Sequence, residues 1–359
     1  MDDAERDARR VRREAWAADN LGRQTAVMDD LVGRADDTLG WLAVERQAGS
    51  LLRHLATWQR SRGFTGINDM LEAHETRLRD HAEEARARLQ GVEADELADA
   101  RSRLGLRIAI IGKGGSGKTV ISSTMARLLA RQGRRVLAAD MDVNPGLAYS
   151  IGLNGQDVAL PDEVLERNPG AAYGWQLRSG LLPREVVEKY TVAGPDGVAV
   201  TGLGKIGETD KSSAKKTVVA LVQTLLGFGE PAWDVIGDLE AGPTTPFERY
   251  HAFSDDVIVV TGPAWRSAMT ARRLLPMVGE GRTTTVVANR FRDEPDHPGL
   301  APHIRVPFDP EVAEAERQGL SPLDACPGSP TIAAIESLVA QFTRNQLTHR
   351  RNTSQEVHA

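Results

Sequence analysis

Cysteine occurs once in this chain, as Cys326, which rules out an internal disulfide and any multi-cysteine metal site. Lysine is absent before Lys113 and proline before Pro145. Aromatic residues make up only 5%, and no apolar run approaches the roughly 20 residues needed to cross a bilayer. Basic residues are not in excess: 44 Lys and Arg face 50 Asp and Glu, for a net charge of -6. That balance does not mark a general nucleic-acid binder and leaves only a local basic face open. The opening Met-Asp-Asp-Ala-Glu-Arg is charged and has no apolar core, so a secretory signal is not expected and a reducing cytoplasm is. Against these absences stand 41% hydrophobic and 26% charged residues over 359 positions, which predicts globular structure in about two domains.

The composition changes near residue 105. Residues 1–105 are rich in Ala, Leu, Glu and Arg, with no helix-breaking proline, so helix is expected. Leu21, Met28, Val32, Ala35, Leu39 and Leu42 recur at three- and four-residue steps, as do Ile67, Leu71, Leu78, Ala82, Ala85 and Leu89. The stretch from Ser61 to Gly66 between them reads as a turn. A leading helix and an antiparallel helical hairpin are therefore expected, interrupted by Gly22, Gly33 and Gly40. This arm serves either as a packing appendage or as an interaction or dimerisation region. From 106 to 347, short apolar runs alternate with helical segments. Strands are expected at Leu106–Ile111, Arg135–Ala139, Gly197–Thr201, Trp233–Ile236, Asp256–Thr261 and Thr283–Ala288. The fold class is then α/β, with a mostly parallel sheet covered by helices on both faces. Residues 151–196 read as irregular and peripheral, and 348–359 as a polar tail.

Gly112-Lys113-Gly114-Gly115-Ser116-Gly117-Lys118-Thr119 fits G-x-x-x-x-G-K-[ST], with an apolar strand before it and a helix after it. Glycines let the loop's N–H groups face phosphate, and the helix N-terminus adds its dipole. In such a loop Lys118 reaches the β- and γ-phosphates and Thr119 ligates Mg²⁺. Asp140 and Asp142 close the second strand, where ligands bind in parallel sheets. Asp238 closes another apolar strand, the position from which a carboxylate holds Mg²⁺ through water. The carboxamide of Asn289 suits an adenine edge. Position 292 is Arg, where an N-K-x-D guanine site would need Asp, so ATP is expected rather than GTP.

The run Lys113-Gly-Gly-x-Gly-Lys118-Thr119 resembles the deviant Walker A loop of the MinD/ParA/nitrogenase-iron-protein superfamily of ATPases. The resemblance covers about residues 106–345. Asp140-Met-Asp142-Val-Asn144-Pro-Gly-Leu147 resembles that family's switch I, and Asp238-Leu-Glu240-Ala-Gly242 is close to the switch II of its CooC-like branch. Val286-Val-Ala-Asn289-Arg290 and Val306-Pro307-Phe308-Asp309 resemble its base-binding segments. The resemblance implies ATP and Mg²⁺ as cofactors. It implies a homodimer on ATP in which Lys113 crosses to the partner's nucleotide. Asp142 would orient the attacking water, and Asp140 would support the metal's water shell. Gly242 would offer its N–H to the γ-phosphate, and Asn289, Arg290 and Pro307 would border the adenine. With Gly112, Gly114, Gly115, Ser116, Gly117 and Val120 these complete the expected nucleotide site.

Members that hold metal between subunits do so through a cysteine pair, expected here after Gly204, yet residues 205–213 contain none. No basic membrane-binding helix ends the sequence, so a membrane anchor is not expected. Arg266, Arg272, Arg273, Arg282, Arg290, Arg292, Arg344, Arg350 and Arg351 could form a DNA-binding patch, but solvated arginines are the favoured reading in an acidic chain. The expected function is thus a slow ATPase switch, stimulated by a protein partner held through the N-terminal helices. A ParA-like ATPase that tracks DNA is the alternative.

Overall fold

The computed structural model describes residues 3–62, 66–142, 144–203, 212–240, 242 and 250–356. In chain order the helices are α1 (Asp3–Gly33), α2 (Thr38–Arg62), α3 (Asn68–Leu89), α4 (Ala94–Arg103), α5 (Lys118–Arg131), α6 (Leu147–Ile151), α7 (Pro183–Tyr190) and α8 (Ser212–Gly227). Further helices follow at Trp265–Leu274, Pro310–Arg317 and Pro330–Glu356. The strands are β1 (Arg107–Gly112), β2 (Arg135–Met141), β3 (Leu165–Arg167), β4 (Trp175–Leu177), β5 (Val192–Ala193), β6 (Ala199–Gly202), β7 (Trp233–Leu239), β8 (Asp256–Thr261), β9 (Thr283–Phe291) and β10 (Ile304–Pro307).

Two compact units divide the chain. One comprises Gly105–Ala159, Thr191–Lys205 and Ala232–Ala359. Its eight-stranded sheet runs β10-β9-β8-β1-β7-β2-β6-β5. Every pairing is parallel except β5 with β6. The six expected strands are all present, and the mostly parallel α/β fold is as the apolar alternation implies. Ile108 and Ile110 of β1 share one buried apolar cluster with Ile121, Met125 and Leu129 of α5 and with Ile332, Ile335 and Val339 of the last long helix. That helix continues to Glu356, through most of the expected polar tail. Arg127 is almost fully buried, and its guanidinium contacts Asp196 at 2.7 Å, Ser321 Oγ at 2.9 Å and the Asp324 carboxylate.

The other unit comprises Met1–Leu104, Leu160–Tyr190 and Ile206–Pro231. The expected leading helix and hairpin helices are α1, α2 and α3, with α4 in addition. Of the expected turn at Ser61–Gly66, residues 63–65 lie outside the described ones. α1 runs straight through Gly22 and ends at Gly33. Trp16, Ala17 and Leu21 of α1 form a small core with Leu55, Ile67, Leu71 and Ala171. Leu39 and Leu42 pack with Ala100 of α4.

The helices are not an isolated arm. Arg23 donates to Glu166 Oε1 at 2.7 Å, to Ser179 Oγ at 2.8 Å and to the Arg178 carbonyl at 3.0 Å. Gln47 donates to the Leu226 carbonyl at 2.7 Å, and Gln223 to Asn20 Oδ1 at 2.9 Å. The short β3–β4 hairpin, α7 and α8 therefore belong with residues 1–104, whereas the sequence boundary had put them with 106–347. Burial pushes the Glu166 carboxyl up, but Ser179, Gln176 and Arg23 outweigh that and hold it near 2.

Candidate functional site

Strand order gathers the expected residues. Register places Ile110 of β1 opposite Asp238 of β7, and Asp140 of β2 opposite Asp238. Gly112 lies opposite Val260 of β8, and Thr261 opposite Ala288 of β9. The carboxyl ends of β1, β2, β7 and β9 thus converge where parallel sheets bind ligands.

The loop after β1 turns at Gly115, with φ 77°, and Gly117, with φ 85°. Gly117 has a second constraint, since a Cβ there would overlap the Asn289 carboxamide. A Cβ on Gly112 would come 2.5 Å from the Val260 carbonyl oxygen, which ties that glycine to the crowding of β1 on β8. Lys118 begins α5 and is buried, and its charge reaches both Asp238 and Glu240. Val120 is buried within the first turn of the helix.

Asp238 is 1% exposed. Burial raises its pKa, while Lys118 and the hydroxyls of Thr119 and Ser122 work against that. Its Oδ1 is buried without a hydrogen-bond partner. Such an orphaned carboxylate oxygen beside Thr119 fits the water shell of a divalent cation, which would also keep the carboxylate charged. Among the described residues no cluster of three His, Cys, Asp or Glu could hold a metal alone.

Asp140 is fully buried, and its pKa is raised by that burial and by the neighbouring Asp238 charge. Both its oxygens serve the main chain: Oδ1 accepts from Asp142 N at 3.1 Å and Oδ2 from Leu147 N at 2.9 Å. Asp140 therefore fixes the main chain at Asp142 and at Leu147. Asp142 is half-buried and accepts from Asn144 N at 2.8 Å.

Three expected contacts look different once partners are counted. Gly242 N donates to the Gly112 carbonyl at 3.1 Å, so its N–H braces the loop. Asn289 donates to the Ser116 carbonyl at 2.7 Å and Arg290 to the Gly115 carbonyl at 3.0 Å. Asp309 caps the helix that starts at Pro310, accepting from Glu311 N at 2.8 Å and from Ser329 Oγ at 2.5 Å. The Asp-Pro-Glu order is a helix-start signature that could have been read from sequence. Pro307 ends β10, and its carbonyl accepts from Thr331 Oγ1 at 2.9 Å. Sequence reasoning missed Glu316, paired with Arg290 at 2.6 Å, since nothing local marks it. The cysteine-free stretch lies mostly in residues 204–211, outside the described ones.

A strand–loop–helix phosphate cradle, with carboxylates closing the neighbouring parallel strands, defines a P-loop nucleotide-binding protein. More particularly, residues 108–323 match the CobQ/CobB/MinD/ParA nucleotide binding domain, and the chain belongs to that family. It is 28% identical over 232 residues to an uncharacterized ATP-binding protein of Methanocaldococcus jannaschii, covering 60% of this chain and 90% of that one. It is 27% identical over 241 residues to the carbon monoxide dehydrogenase accessory protein CooC of Rhodospirillum rubrum, covering 62% and 91%. In fold it is similar to the cell division ATPase MinD of Pyrococcus furiosus, with a TM-score of 0.52 and 20% identity over 67% of this chain and 99% of that one. MinD from Pyrococcus horikoshii, solved with Mg-ADP, gives 0.51 at 19% identity, over 67% and 96%. No helix among the described residues is long and apolar enough to cross a membrane.

Proposed function

We propose that this protein is an ATP-dependent switch that binds ATP with Mg²⁺, pairs with a second copy across the nucleotides, and hydrolyses ATP slowly. Lys113 carries the reading. It sits half-exposed in a loop built for phosphate, and its Nζ has only the Gly114 carbonyl, at 3.4 Å, among the described residues. A cation so placed suits negative charge presented from another subunit. Thr119 and Asp238 would hold the cation, which supplies charge neutralisation at the phosphates. Asp142, at the mouth of the site, would orient water. The helical unit would meet a protein partner, because segments 160–190 and 206–231 of the ATPase sequence are built into it. A change at the carboxyl end of β6 would thus have a covalent route into α8.

The DNA-tracking alternative has less support. Arg282 is spent on the Ser254 and Ala252 carbonyls, Arg290 on the loop, and Arg292 stacks on Phe308. The test is solution mass with ADP and with a non-hydrolysable ATP analogue, for wild type and Lys113→Ala. A doubling with the analogue, lost in the variant, is expected. Equal masses in both nucleotides would overturn the switch. DNA binding that needs ATP and falls steeply with salt would favour the alternative.

A further inference from the structure

Among the described residues Arg290 is one of four non-glycine residues with positive φ, at 63°, and it lies within β9. Successive strand side chains normally point to opposite faces. Here the left-handed residue lets two neighbours reach consecutive carbonyls of one loop, Asn289 to Ser116 and Arg290 to Gly115. A left-handed arginine is strained, so surrounding contacts must hold it. Glu316 supplies one: its Oε2 takes the other arm of the guanidinium at 2.6 Å. Glu316 is in turn placed by the Pro310–Arg317 helix, which Asp309 caps.

The loop peptide between Gly115 and Ser116 is then held at both ends. Its carbonyl accepts from Arg290, and its N–H donates to the Lys113 carbonyl at 3.1 Å. The next peptide has its carbonyl tied to Asn289. A planar trans peptide directs its N–H opposite its oxygen, so Gly117 N–H points away from Asn289.

We infer that Glu316 is a positioning residue, holding Arg290 against the phosphate loop so that the loop is formed before nucleotide arrives. This rests on the nucleotide-binding reading above. Preorganisation of this kind acts on binding of every phosphate ligand rather than on one step of the chemistry. Lysine could not replace the arginine, because a single ammonium cannot span the Gly115 carbonyl and the Glu316 carboxylate as a planar fork does.

The test uses the full chain, titrating fluorescent ADP and a non-hydrolysable ATP analogue with Mg²⁺, followed by steady-state hydrolysis. Glu316→Ala is expected to weaken both nucleotides roughly tenfold, as loss of a half-exposed charge-assisted bond would. KM should rise with it while kcat moves less than twofold. Glu316→Gln, which keeps an acceptor, should recover part of the loss, and Glu314→Gln on the same helix should lose nothing. Should Glu316→Ala fail to fold, Arg290→Lys reads the same clamp and should weaken binding similarly. Wild-type affinity in Glu316→Ala, or in Arg290→Lys where that stands in, overturns the inference, as does a loss confined to kcat. A wild type that binds neither nucleotide, behaving like Lys118→Ala, would instead sink the nucleotide-binding reading itself.

Discussion

Removing Arg134 should destabilise the sheet unit by about 3 kcal/mol while leaving nucleotide binding intact. Its partner Asp234 is fully buried near the start of β7, away from the phosphate loop. Arg134 grips it with a two-armed contact, Nε to Oδ2 and Nη2 to Oδ1, both at 2.5 Å. Asp234 Oδ1 also accepts from Leu106 N at 2.6 Å, and Val235 N donates back to the Leu106 carbonyl at 2.7 Å. Arg134→Met leaves a buried carboxylate with one main-chain donor. Breaking a buried pair from one side costs about 3–5 kcal/mol, and the guanidinium's partial exposure argues for the lower end. The double variant Arg134→Met/Asp234→Leu removes the charge but leaves Leu106 N without its acceptor. Its loss should be about 1–3 kcal/mol, less than the sum of the single variants. With two units the chain need not unfold in one step, so amide exchange at Leu106 and Val235 under increasing urea is the suitable assay. A loss below about 1 kcal/mol, or strict additivity in the double variant, would refute the buried-pair argument. A parallel loss of nucleotide affinity would refute its separation from the site.

Gly117→Ala should weaken nucleotide at least roughly tenfold, since a left-handed alanine costs about 1–2 kcal/mol before its overlap with Asn289 is counted; ADP titration checks this, and wild-type affinity would contradict it. His74 should make the helical unit acid-sensitive. Burial, with help from Arg77, lowers its pKa from 6.5 to about 4, and its ring nitrogens meet Thr25 Oγ1 and Gln24 Oε1, each at 3.1 Å. The folded state therefore holds fewer protons than the unfolded one between those values. Stability should fall as pH drops below 6.5, by about 2 kcal/mol at pH 5, and His74→Gln should flatten that slope. Urea midpoints of both proteins at pH 5 and 7.5 decide it, and equal slopes would remove His74 from the account.

Much was readable in the residues themselves, for local reasons. A phosphate loop is contiguous, its glycines answer to backbone conformation, and parallel strands buried on both faces announce themselves as apolar runs. The loop, the closing positions of Asp140 and Asp238, and the six main strands follow from that alone. The tertiary structure decided which atoms those residues have to spare. Gly242 N–H, the Asn289 carboxamide and both oxygens of Asp140 each have chemistry suited to nucleotide or metal. All three are engaged by backbone within the chain. Glu316 gains its place only because β9 lies two strands from β1 and Arg290 turns left-handed there. Likewise, Leu160–Tyr190 and Ile206–Pro231 join the N-terminal helices through partners such as Arg23 with Glu166 and Gln47 with the Leu226 carbonyl. Such pairings span more than a hundred residues, and periodicity carries no information at that range; strand order and side-chain reach do.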